Sequence, residues 1–234
     1  MDRALPPELS NSEQHSVYEN FSRIPADEQQ RILRVCLEEF SLHRYESAST
    51  NAIVRRAQIP KGTLFYYFGS KKDLYLYLID YAVRSYTAEF AALGDELPSD
   101  LFERLLYIGE HRMRYAVRQP MIYRFFYNAL IYTPDEIRPE MESRYAEYAT
   151  TSAKLMQAGL DQSKFKAGVI VEQALELTYL VLEGIYNRYA AELQQMEPEE
   201  ALKLVDQIME ECRQYFGMLM HGLYKTSPAK DTVA

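Results

Sequence analysis

The chain is punctuated for helices and for almost nothing else. Its 234 residues hold only nine glycines, no Asn-Gly or Asp-Gly pair, and almost no alternation of Val, Ile or Thr, so the tight turns and period-two faces of a sheet are missing. Apolar residues instead recur three and four apart between breaks at proline or glycine, the spacing of one helix face. The fold class is therefore all-α. Forty-seven per cent hydrophobic and 26% charged content excludes a disordered or collagen-like chain. Cys36 and Cys212 form no CxxC spacing and read as free thiols of a reducing compartment. No apolar run approaches a membrane span, and MDRALPPELSNSEQ has no apolar signal core. The expected location is cytoplasmic, with no membrane partner.

The punctuation between residues 25 and 73 is the most informative. Pro25, with Asp27 and Glu28, starts a helix whose stripe is Ile32/Leu33, Cys36/Leu37 and Phe40, and which fades at His43, Arg44 and Tyr45. Ser49 is an N-cap for a short helix over 50–57. Gln58-Ile59-Pro60 breaks it, a third helix runs 61–67, and Gly69 stops that one. Ser70-Lys71-Lys72-Asp73 has the S-x-x-D form of a capping box and launches a fourth helix to about 92. Two short helices joined by a tight turn, behind a longer one, make a helix-turn-helix. Helices are expected further on at 99–118, 120–131, 138–158, 167–194 and 198–224.

Charge and side-chain direction agree with this motif. The net charge is −8, yet residues 44–72 hold six Lys/Arg against one acid, Glu46. Such a patch suits one small polyanion-facing surface, or is clustering without function. On 61–68, Leu64 and Phe68 point one way, whereas Gly62/Tyr66 and Thr63/Tyr67 point the other. Lys61, Lys71 and Lys72 sit at helix N-termini, where the macrodipole disfavours cations unless a phosphate is shared. Thr50 and Asn51 occupy the first turn of the preceding helix, where a hydroxyl can take a phosphate and an amide can reach a base.

Residues 31–75, through ILRVCLEEF, Tyr45, STNAIVRRA and KGTLFYYFGSKKDL, resemble the DNA-binding head of the tetracycline-repressor (TetR) family. The resemblance implies that the helix from Lys61 lies in the major groove of a double-stranded DNA operator. Lys61, Gly62, Thr63 and Tyr66 would then lie near bases, and Thr50, Tyr67 and Lys71 at phosphates. Asn51 and Arg55 would lie near the DNA from the preceding helix. Gln58 departs from the family pattern, which has glycine there, and so must take a left-handed conformation. The resemblance also implies a homodimer on a near-palindromic site and release by a small-molecule effector. The organisation expected is an arm over 1–25, a helix-turn-helix domain over 26–70, a connecting helix over 71–93, a ligand-binding and dimerisation body over 94–225, and a tail over 226–234.

Within that body, the last two helices carry broad stripes that suit a dimer bundle or burial inside one chain, with Leu175, Leu182, Val205, Met209 and Phe216 as interface candidates. Fifteen of the twenty tyrosines follow residue 75. The ligand candidates are Tyr107, His111, Tyr115, Tyr123, Phe126 and Tyr127, with Tyr148, Tyr179 and Tyr186 opposite; a tyrosine-rich core is the equal alternative. Arg112, Arg114, Arg118 and Arg124 are expected to pair with neighbouring carboxylates, with an anionic ligand as the alternative. Four scattered histidines and the absence of HExxH, G-x-S-x-G, P-loop or Rossmann patterns argue against an enzyme, a metal site or a cofactor. The expected function is a ligand-responsive transcriptional regulator, a repressor in the first instance. The alternatives are a helical protein-interaction module and, further off, a helical enzyme.

Overall fold

In a computed structural model the structure describes residues 18–91, 93, 97–193 and 195–225. Among these, ten α-helices occur: α1 Glu19–Ser22, α2 Ala26–Leu42, α3 Thr50–Arg56, α4 Lys61–Phe68, α5 Lys71–Ala91, α6 Leu101–Arg118, α7 Pro120–Ile131, α8 Arg138–Gln157, α9 Val171–Leu193 and α10 Pro198–Leu223. The described residues hold no strand beyond a single bridge between Phe165 and Tyr224. None of the described helices is long and apolar enough to cross a membrane.

The expected breaks operate as read. The Ser49 hydroxyl accepts from the Ala52 N–H (3.3 Å) at the start of α3. Gly69 closes α4 at φ 77°. At the start of α5 the Ser70 hydroxyl accepts from the Asp73 N–H (3.1 Å) and donates to the Asp73 carboxylate (2.6 Å). The return bond of this capping box thus goes to the hydroxyl, while the Ser70 N–H is held by the Phe68 carbonyl.

By their contacts the described residues form two compact units. The first holds the residues up to 91 together with Gln119–Thr150. Its core is the α2 stripe read from the sequence, Ile32, Leu33, Cys36, Leu37 and Phe40, with Leu64 and Phe68 of α4 and Leu74, Leu78 and Ile79 of α5, all buried. Helix α7 and the start of α8, as far as Thr150, belong here rather than with α6 before them. The Phe125 ring of α7 lies 6.4 Å from Phe40 and 5.2 Å from Tyr75, and the Asn128 amide of the same helix donates to the Ser41 carbonyl at 3.2 Å. The expected arrangement of 94–225 as one body did not anticipate this. The cause is the apolar face Ile122, Phe125 and Ala129, buried on helices far away in sequence.

The second unit is Leu93–Arg118 with 151 onward, chiefly α6, α9 and α10. It contains a fully buried cation that the sequence did not mark. Arg104 donates to the carbonyls of Pro98 (2.7 Å), Met156 (2.9 Å) and Ala158 (2.7 Å), so a guanidinium caps the negative end of α8. The Tyr224 hydroxyl accepts from the Leu101 N–H at 3.1 Å and ties the end of α10 to the start of α6. Cys36 and Cys212 are free and buried, and burial pushes their thiols up to about 12 and about 11.

Candidate nucleic-acid interface

The surface built by α3 and α4 is held from behind by charged groups. Glu39, buried on α2, accepts the Ser49 N–H at 2.9 Å, and Arg56 pairs with Glu38 and, at 3.7 Å, with Glu39. The Arg31 guanidinium donates to the Ala57 carbonyl at the end of α3. The next residue, Gln58, is the one described non-glycine residue at positive φ, 52°. The left-handed turn expected there is therefore present without glycine, and Pro60 at φ −60° and ψ 145° leads directly into α4.

On the open side, Lys61, Gly62 and Tyr66 of α4 are exposed and Thr63 is half-buried. Tyr66 keeps 65% of its surface in water, a large investment for a ring of this size. Asn51 and Arg55 of α3 are also exposed, and Thr50 is half-buried. Tyr67 corrects the wheel reading. It is only 8% exposed, its ring lies 5.6 Å from Phe21, and burial followed by the Glu28 carboxylate raises its phenol above the usual range. Helix α1 covers the side of α4 that a wheel drawn on α4 alone leaves open.

The cations divide into two groups. Arg55 and Lys61 have no ion-pair partner among the described residues. The Lys71 ammonium donates to the Glu46 carbonyl (3.3 Å) and lies 4.9 Å above the Tyr45 ring, which positions it without neutralising it. Lys72 differs: it pairs with Glu140 at 2.7 Å and donates to the Glu136 carbonyl at 3.1 Å. Its place at a helix start is thus matched by one carboxylate, of Glu140, and one backbone carbonyl, of Glu136, in its own chain. Glu140 lies 68 residues downstream, and a local reading of the sequence has no signal for it.

A short, capped helix with an open basic and hydroxyl-bearing face, preceded by a tight turn and a second capped helix, is the geometry of a major-groove reader. Residues 32–78 match the family model for bacterial regulatory proteins, tetR family. Over these residues the head is similar to that of tetR-family regulators. No curated protein matches the chain. Among solved structures, a TetR family transcriptional regulator from Chloroflexus aurantiacus J-10-FL is 24% identical, with 89% of this chain and 98% of that one covered at a TM-score of 0.63. NalD, the secondary repressor of the MexAB-OprM multidrug efflux pump in Pseudomonas aeruginosa, is 16% identical, with coverage of 86% and 98% and a TM-score of 0.56. The transcriptional regulator FadR from Bacillus subtilis, solved in complex with stearoyl-CoA, is 14% identical, with coverage of 78% and 96% and a TM-score of 0.54. These likenesses show that the chain shares the fold of these proteins beyond the head and through most of its length.

The ligand candidates fall into both units. In the second unit, Tyr107 and His111 are neighbours (ring centroids 4.3 Å apart) and Tyr115 is buried. Arg112 pairs with Glu183 there, with Tyr186 and Tyr179 rings 5.3 and 5.9 Å from its guanidinium. In the first unit, Tyr123 and Tyr127 stack at 6.2 Å, and Phe126 stacks on Tyr86 at 5.6 Å. Tyr148 is on α8, and its side chain lies outside the described ones. Arg112 and Arg114 meet carboxylates as expected, Arg114 those of Glu110 (2.9 Å) and Asp206 (2.5 Å).

The dimer candidates need correction. Leu182, Val205, Met209 and Phe216 are at most 2% exposed within the single chain, and Leu175 is half-buried. Leu182 is packed so closely on Gly109 that a Cβ added there would meet it at 2.9 Å. The stripe read from the sequence is the core of the second unit. The apolar groups left in water on α9 and α10 are others: Leu177, Tyr179 and Leu180, then Tyr215, Met218 and Met220.

Proposed function

We propose that the protein is a ligand-responsive transcriptional regulator, a repressor in the first instance, whose homodimer binds a near-palindromic operator. The observation that carries the reading is the exposed α4 face, where Lys61 stands without an ion-pair partner among the described residues beside the open ring of Tyr66. In this reading Lys61, Gly62, Thr63 and Tyr66 meet base edges, with Asn51 and Arg55 beside them. Thr50 and Lys71 take phosphates. Tyr67, packed against Phe21, holds α4 in place and leaves phosphate binding to the other two.

Dimerisation runs through the exposed face of α9 and α10. Leu177, Leu180 and Gly184 share one side of α9, as Tyr215, Met218 and Gly222 do on α10. Leu180 is 60% and Met218 70% exposed, more apolar surface than a lone chain gains by showing. The effector is a small molecule that binds the DNA-incompetent state more tightly, so that operator DNA weakens effector binding by the same factor. The stearoyl-CoA complex of the B. subtilis relative makes long-chain acyl compounds the first to try.

The test is fluorescence anisotropy on duplexes from the DNA upstream of its own coding region, in a salt series. The cation placed at a phosphate in each of two heads, Lys71, predicts a slope of log K on log salt of about −2. Saturable, sequence-selective binding with that dependence supports the reading. Binding that is equal on unrelated DNA refutes it.

A further inference from the structure

We infer that Asn20, on α1 ahead of the helix-turn-helix, is a positioning residue that fixes the Tyr66 hydroxyl as a hydrogen-bond acceptor toward a base. The inference rests on the DNA-binding reading above and names what one residue of that surface recognises.

Helix α1 is held firmly against the head. Phe21 is buried, with its ring 4.7 Å from Phe68 and 5.6 Å from Tyr67. The Tyr18 hydroxyl donates to the Asp73 carbonyl at 3.2 Å, and the Tyr18 ring meets Tyr77 edge-on at 4.8 Å. These contacts fix Asn20 beside the end of the Tyr66 side chain. There the Tyr66 hydroxyl donates to the Asn20 side-chain oxygen at 3.0 Å, although the Tyr66 ring itself stands in water.

A phenol has a single proton. Once it is directed to Asn20, the Tyr66 oxygen faces DNA with lone pairs only. Phosphate oxygens are themselves acceptors, so this oxygen has nothing to offer them. In the major groove, guanine presents N7 and O6 acceptors and thymine presents an O4 acceptor and a methyl group, whereas adenine N6 and cytosine N4 carry amino donors. An unattached tyrosine would rotate its proton toward whichever acceptor came near. With Asn20 in place, Tyr66 selects a base that bears an amino group.

The experiment uses duplexes selected by the wild-type protein from a randomised pool. Affinities of wild type, Asn20→Ala, Tyr66→Phe and the double variant are then measured with each half-site position varied through four bases, in a salt series. The expected result is that Asn20→Ala leaves the salt slope unchanged and loses about three- to tenfold discrimination at one position per half-site. Tyr66→Phe should affect the same position, and in its background the loss of Asn20 should add nothing. The preferred base there is adenine or cytosine. Replacing it with purine or 2-pyrimidinone, which lack the amino group, should weaken wild type by the same factor and leave Asn20→Ala unaffected. Asn20→Asp keeps the acceptor, so it should retain the base preference at lower overall affinity, and it guards against misfolding of the alanine variant. The inference is overturned if guanine or thymine is preferred at that position. It is also overturned if Asn20→Ala weakens all sequences equally, or if Asn20→Asp loses the preference too. Should the wild type select no sequence at all, the DNA-binding reading itself fails and takes the inference with it.

Discussion

Replacing Arg104 with methionine isolates the role of the buried guanidinium, because methionine keeps most of the apolar stem and removes the charged fork. Arg104 is fully buried and satisfies three carbonyls, two of them at the end of α8, at 2.7–2.9 Å. Hydrogen bonds from a charged donor contribute about 1.5–3 kcal/mol each, so three set an upper bound of about 9 kcal/mol. Two effects reduce it. Removing the cation recovers its desolvation penalty, several kcal/mol for a buried ion, and part of the cluster can reach water after a small relaxation. The expected loss is about 3–5 kcal/mol. Lysine keeps the charge but cannot reach three acceptors in one plane, so Arg104→Lys should recover less than half. Urea denaturation gives the totals, and amide exchange at residues 153–158 shows where the loss falls. A methionine variant within about 1 kcal/mol of wild type, with an unchanged denaturant slope, would refute the capping role. A lysine variant as stable as wild type would show that charge, not the fork, is what α8 needs.

Other outcomes follow from single features. Gln58→Gly removes a left-handed strain of about 1–2 kcal/mol against a chain-entropy loss of about 0.5–1 kcal/mol, so it should raise stability by about 0.5–1 kcal/mol in thermal unfolding; destabilisation would mean that Gln58 makes a compensating contact. Leu177→Asp with Leu180→Asp should give a folded monomer by sedimentation, whereas Leu182→Asp should fail to fold because it enters a filled core; a dimeric double variant would move the interface off α9. Asp100 is the N-terminal acceptor of α6. Burial alone would raise its carboxyl, but the Lys164 ammonium at 2.7 Å and the Phe102 and Glu103 N–H groups outweigh this and hold it below the usual range. A carboxyl lowered on folding stabilises above its unfolded value near 4 and loses that contribution as pH falls through the folded one. Wild type should therefore lose stability below about pH 4 more steeply than Asp100→Asn; parallel stability curves between pH 3 and 7 would exclude this.

Most helix limits were legible because each depends on neighbours in sequence, although α9 starts at Val171 and not at 167. Ser49, Pro60, Gly69 and Pro120 act within one turn of themselves, and α7 and α10 begin at their expected prolines. The strained turn at Gln58 was legible for another reason, the glycine that the resembled family has at that position. What was not legible depends on partners far along the chain. Tyr67 faces outward on an isolated wheel, and only the packing of Phe21 encloses it. Lys72 is a candidate for phosphate until Glu140 is brought beside it. The apolar stripes of α9 and α10 were seen, but periodicity says that a face is buried without saying by what. Leu182 and Met209 are covered by their own chain, and the less regular set around Leu180 and Met218 is left over.

The grouping of α7 with the head bears on whether the two halves of this protein are interchangeable parts. A natural plan for making hybrid regulators is to cut after α5 and attach the first ninety or so residues to a different sensory body. Here that cut would strip Phe125 from Phe40 and Tyr75 and leave the Ser41 carbonyl without the Asn128 amide. The transplanted piece would arrive with an open apolar slot on α2, which a foreign body would fill only if its own counterpart of α7 happened to present an aromatic ring at the same height. The heritable module is thus discontinuous, residues 18–91 plus 119–150. Hybrids that carry both segments should keep their operator choice, while those joined at a single crossover should be limited by solubility before specificity is ever tested.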